Sequence, residues 1–134
     1  MKQSVALSFF LLSCAFLQAQ ALPPISVVIV GQHSCPACQA AVEQLPLYLP
    51  KWAAKGVEVH YYSMDSLAQD YSSYPLPVTR LAQRWDDPLI EKLKTNATPS
   101  FYFINAQGEV IVETATAAEM QLALMAQDVV APSQ

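Results

Sequence analysis

Residues 25–30 form an apolar run in which only Ser26 is polar, and the run stops at Gly31. Four residues later come two cysteines in a short frame, Cys35-Pro36-Ala37-Cys38. This junction constrains the chain more than any other feature. A run of Val and Ile without alternation reads as a strand buried on both faces, which favours a central, parallel position. Pro36 suits the first turn of a helix, where its missing N–H is not needed. Val42, Leu45 and Leu49 then recur at helical spacing, so a helix is expected from Pro36 to about Ala54. Pro46 and Pro50 fall inside that pattern and predict a kink or a break, and Gly56 ends it. Both cysteines therefore sit where a buried strand turns into a helix.

The rest of the chain supplies partners for that strand. Val57 to Tyr62 alternates in places and reads as a second strand. Ser63 to Val78, with Tyr71, Tyr74-Pro75 and Pro77, reads as a loop with a short turn of helix. Thr79 to Lys94 carries Leu81, Trp85, Leu89, Ile90 and Leu93 at helical spacing, and Asp87 can cap a restart before Pro88. Ser100 to Ile104 and Glu109 to Glu113 read as a hairpin around a four-residue turn. Thr116 to about Gln127 reads as a closing helix. Its Thr116 and Glu119 match a capping box, and the tail from Val129 reads as loose. Trp52, Trp85 and Phe101-Tyr102-Phe103 are core candidates. The order is β-α-β, a helical excursion, then β-β-α. A right-handed crossover would set the first two strands side by side.

The chain of 134 residues suits one domain. Hydrophobic residues make up 53% and charged residues 13%, enough apolar content for a core. Part of that content reads as a leader. Lys2, the apolar run Val5 to Leu17 and the small residues Ala19 and Ala21 form the pattern of a secretory signal peptide over 1–21. The run is shorter than the roughly 20 residues of a membrane helix. Cleavage after Ala21 would leave a single domain, 22–134, exported to a periplasmic or secreted location and not membrane-spanning. A lipoprotein signal ending at Cys14 is the competing reading, although the apolar run continues through Leu17. Loss of Lys2 leaves six basic and eleven acidic residues, a net charge of −5 with no basic run. Nucleic acid and anionic membranes are poor partners for such a chain.

Once Cys14 leaves with the leader, Cys35 and Cys38 are the remaining cysteines. An oxidising compartment permits their disulfide. A bridge across so short a loop stabilises a chain less than one across a long loop. Redox exchange therefore explains the pair better than a structural staple. Copper(I) is an alternative, with His33 or His60 beside the two thiolates. A structural zinc site wants four ligands, and no metal ligand set is assigned.

This arrangement resembles the thioredoxin family: a strand, Cys-Pro-Ala-Cys, a helix, then Thr98-Pro99 before a hairpin about 60 residues later. The similarity spans about residues 25 to 127. It implies an α/β fold, a mixed four-stranded sheet flanked by helices. It also implies a cis Pro99 facing the cysteines, with Thr98 presenting its backbone to a bound partner. The family's common Trp before the first cysteine is Ser34 here. The first strand also lacks the carboxylate that typical thioredoxins bury there, which is compatible with the Dsb-like and pathway-specific exported members, since they vary at these positions.

The resemblance implies a thiol–disulfide oxidoreductase whose working group is the Cys35–Cys38 disulfide, with no dissociable cofactor. Its partners would be protein thiols and disulfides and a redox partner protein. Cys35, at a helix N-terminus, faces unpaired N–H groups and the positive end of the dipole, and its pKa should fall to roughly 3.5–7.5. Cys38, one turn inward, would resolve the mixed disulfide. Pro36 would stiffen the turn between them, and His33 is a tuning candidate. A small single domain without a dimerisation segment is expected to be a monomer. A non-catalytic adaptor in an exported secretion or conjugation assembly is the remaining alternative.

Overall fold

The computed structural model describes residues 25–83, 88–93, 95 and 97–130. The leader with Cys14, and also Trp85 and Asp87, lie outside those residues.

Five strands form one mixed sheet: β1 (Ser26–Gly31), β2 (Glu58–Ser63), β3 (Val78–Arg80), β4 (Ser100–Ile104) and β5 (Val110–Thr114). Their spatial order is β3-β2-β1-β4-β5. β1 runs parallel to β2 and antiparallel to β4, so its central position follows from its unbroken apolar run. The long helix α1 (Pro36–Ala54) makes the crossover between β1 and β2. A shorter helix α2 (Pro88–Leu93) precedes β4, and α3 (Ala117–Val130) closes the chain.

Alternation along β1 divides the core between the two faces of the sheet. Val27 and Ile29 face Ala41, Val42, Leu45 and Trp52 of α1 and Met120 and Leu124 of α3. Val28 and Val30 face the other way, with Tyr102, Leu81 and Leu93. The two large helices are also tied directly, because Trp52 Nε1 donates to Gln121 Oε1 at 2.7 Å. Thr116 caps α3 as expected: its hydroxyl oxygen accepts from Glu119 N at 3.1 Å.

Four expectations need correction. The sheet has five strands and not four, because Val78–Arg80 pairs with Tyr61–Ser63 of β2 as a short edge strand. The helix expected from Thr79 therefore starts as that strand, continues as a 3₁₀ turn over Leu81–Gln83, and resumes at Pro88. A three-residue edge strand takes its hydrogen bonds from a distant segment, so local periodicity does not reveal it. α1 also continues unbroken through Pro46 and Pro50. Both prolines lie four apart on the exposed face, so their rings project to solvent and not into the packed side of the helix. Finally, α3 runs on to Val130 where a loose tail was expected from Val129.

The buried side of α1 carries the stability. Leu45 is fully buried, and Leu45→Ala is expected to destabilise the fold by about 2–5 kcal/mol. Thr116→Ala should cost about 1 kcal/mol through loss of the cap. Urea unfolding should show both as lower midpoints at unchanged slope. A Leu45→Ala midpoint equal to wild type would contradict the packing described.

Candidate active site

β1 ends at Gly31, and the chain turns through residues 32–34 before Cys35 begins α1. Cys35 has extended backbone angles, φ −87° and ψ 118°, and acts as the N-cap. Its sulfur takes the place of the usual capping oxygen and accepts from Cys38 N at 3.2 Å. The same sulfur lies 3.8 Å from the Thr98 carbonyl, to which the thiol donates. The Thr98–Pro99 bond is cis, as the resemblance implies. Cys35 is half-buried, whereas Cys38 is 1% exposed and its sulfur accepts from Gln32 N at 3.4 Å. Both thiols are free.

These surroundings make the two sulfurs chemically different. Hydrogen bonding from Cys38, first from its thiol and then from its backbone N–H, holds the Cys35 pKa below the ordinary cysteine range despite some burial. The first turn of α1 contains no acidic residue to oppose the helix dipole. Burial first, and then the hydrogen bond with Cys35, pushes the Cys38 thiol up to about 11. The outer sulfur is thus the more readily ionised of the two, and the inner one is held as a thiol.

His33 is half-buried and engaged by the protein. Its backbone N–H donates to both Asp65 carboxylate oxygens at 3.1 Å. Its Nδ1 lies 3.2 Å from Tyr74 Oη, and its ring stacks against the Tyr74 ring at 6.3 Å. Asp65 also accepts from the hydroxyls of Ser63 and Tyr71. Burial opposes the charge on Asp65, but the bonds from Ser63, Tyr71 and the His33 N–H together hold its pKa below the usual carboxylate range. This carboxylate buttresses the loop in front of Cys35. Asp65 and Tyr61, discussed below, are absent from the sequence-derived site. They lie more than twenty residues beyond Cys38 in no recognisable pattern.

Pro36 occupies the first turn of α1 and is exposed. His60 is exposed on β2, 3.4 Å from Glu58 Oε2 and apart from this cluster. Among the described residues, no three His, Cys, Asp or Glu side chains gather where a metal ion could be held. Beside the cysteines runs an open, mainly apolar groove of about 470 Å³. Ala37, Ala40 and Gln44 form one wall, and Thr98, Pro99 and Ala115 the other.

No protein-family model and no curated protein matches the sequence. Solved structures do match its fold. StoA from Bacillus subtilis is 12% identical over 76% of this chain and 83% of that one, with a TM-score of 0.60. The thioredoxin domain of a thiol-disulfide oxidoreductase from Bacteroides vulgatus is 13% identical over 76% and 77%, with a TM-score of 0.60. Tryparedoxin from Trypanosoma brucei is 22% identical over 76% and 74%, with a TM-score of 0.59. The chain has the thioredoxin-like fold.

Two measurements test this electrostatic description. Mass-resolved iodoacetamide alkylation across pH should give Cys35 a midpoint below the free value of about 8.5, with Cys38 unreactive throughout that range. Cys38→Ala should raise the Cys35 midpoint, because the thiol that most depresses it is gone. Asp65 has a lowered folded pKa, so its stabilising contribution is present above the unfolded value of about 3.9 and is lost as pH falls through the folded value. Asp65→Asn should therefore be less stable at pH 7, with a weaker loss of stability on acidification, as followed by urea unfolding at several pH values.

Proposed function

We propose that the protein is an exported thiol–disulfide oxidoreductase that exchanges disulfides with protein partners through Cys35 and Cys38. One observation carries the reading: Cys35 sulfur caps α1 and is held towards the thiolate, beside the cis Thr98–Pro99 segment and one turn outside a buried second thiol. The thiolate is the nucleophile of disulfide exchange. Cys35 attacks a partner disulfide, forms a mixed disulfide and releases one partner thiolate. Cys38 then attacks the Cys35 sulfur, closes the Cys35–Cys38 disulfide and releases the second. The partner gains two electrons and the protein loses two; the reverse sequence oxidises a partner dithiol.

The groove beside Cys35 suits an extended stretch of partner chain, with Thr98 and Pro99 as its docking edge. Pro36 stiffens the turn that carries the nucleophile. Export rests on the leader pattern of residues 1–21, and a periplasmic or secreted setting supplies the oxidising compartment that the pair needs. Among the described residues, no helix is long and apolar enough to cross a membrane.

The test is equilibration of the protein, in a Cys14→Ser background, with reduced and oxidised glutathione at graded ratios, followed by acid quench and mass-resolved alkylation. A reversible two-electron Cys35–Cys38 disulfide is expected. Cys35→Ser should abolish exchange, and Cys38→Ser should let the mixed disulfide accumulate. The midpoint, somewhere between about −270 and −120 mV, separates a reductase from a donor of disulfides. A pair that stays reduced at every ratio would sink the oxidoreductase reading.

A further inference from the structure

Tyr61 is 2% exposed, and its hydroxyl is buried without a hydrogen-bond partner. Unpartnered buried hydroxyls destabilise a fold, and a phenylalanine would fill the same volume without one. The position of this hydroxyl is specific. Tyr61 lies on β2 opposite Ile29 of β1, on the face covered by α1. Gly31 ends the same strand. A Cβ built on Gly31 would stand 2.2 Å from Tyr61 Oη and 3.5 Å from Cys38 Sγ. The phenolic oxygen therefore fills the space that only glycine leaves open, and the resolving sulfur borders that same space. No carboxylate in β1 approaches Cys38, because the strand contains none.

We propose that the Tyr61 hydroxyl is the hydrogen-bond donor that serves Cys38 when it ionises to resolve the mixed disulfide. The inference rests on the oxidoreductase reading above. In the reduced protein Cys38 is a buried thiol and makes little demand on a donor. Cys38 must ionise before it attacks Cys35, which places negative charge on a sulfur that is shut off from water. A hydrogen bond to a charged acceptor is about twice as strong as a neutral one. The orphaned hydroxyl thus finds its partner in the reacting state and not in the resting one. Burial first, and then Tyr74, Cys38 and Asp65, pushes the phenol pKa above its ordinary value, so Tyr61 donates and does not act as a base. The other titratable groups facing the pair are Cys35 at the start of α1, Tyr74 and Asp65 from the segment after β2, and His33 behind these two.

The test follows both steps with oxidised glutathione as probe. The Cys35 thiolate attacks glutathione disulfide, forms the Cys35–glutathione bond and releases one glutathione thiolate. Cys38 then attacks Cys35, breaks that bond and forms Cys35–Cys38. The second glutathione leaves as a thiolate and takes up the proton that Cys38 gave off. Acid-quenched mass spectrometry resolves the two products. In Tyr61→Phe the first step should keep its wild-type rate. The second should slow about tenfold at pH 7, and its pH profile should move up by about one unit. The melting temperature should be unchanged or higher, because the lost hydroxyl has no partner at rest. That combination separates a role in the reaction from a structural one. Resolution by Tyr61→Phe at the wild-type rate and with the wild-type pH profile would overturn the proposal while leaving the oxidoreductase reading intact. Failure of the wild-type protein to form the Cys35–glutathione bond would overturn both.

Discussion

The hydrogen bond from Cys38 N–H to Cys35 Sγ joins the architecture of this protein to its chemistry. A helix start has backbone donors that no residue of the helix can satisfy. Here one of them is satisfied by the Cys35 sulfur. That sulfur is therefore positioned as rigidly as the helix itself. The helix is positioned by Leu45 and Trp52, both fully buried against the sheet, and by the Trp52–Gln121 link to the closing helix. Damage to the core would be felt as misplacement of a sulfur atom.

The contrast between the two thiols comes from depth more than from nearby charge. Cys35 stands at the rim with donors aimed at it, and Cys38 stands one turn inside, where burial opposes ionisation. No formal charge in the first turn of α1 adds to this. Asp65 stands further back and braces the His33 loop by accepting from two hydroxyls and a backbone N–H. Its role is to hold the geometry in front of the cysteines. The tyrosines that surround it carry their hydroxyls through the same region, with Tyr71 edge-on to Tyr74 at 5.2 Å and Tyr61 edge-on to Tyr74 at 5.5 Å.

Much of this was legible in the chain. The run ending at Gly31 and the spacing of Val42, Leu45 and Leu49 identify β1 and α1, because one element is buried on both faces and the other along one stripe. Thr116 and Glu119 mark the start of the closing helix, since a capping box is written within four residues. Segments whose fate depends on a distant partner were not legible. Val78–Arg80 becomes a strand only because β2 offers it an edge. Pro46 and Pro50 lie within an unbroken α1, on the side of the helix that the fold leaves exposed.

The sequence by itself determined the cysteine pair and the helix that the pair opens, while the resemblance to the thioredoxin family implied the Thr98-Pro99 that stands beside it. The first two are local patterns, and local backbone chemistry suffices to read them. The tertiary structure alone decided what surrounds the sulfurs. It buried Cys38 and left Cys35 half-buried at the rim, it drew Asp65 under the His33 loop, and it brought the Tyr61 hydroxyl into the space beside Gly31. Those neighbours come from strands and loops far apart in the chain. Burial, hydrogen bonding and pKa depend on distances in space, and no spacing along the sequence encodes them.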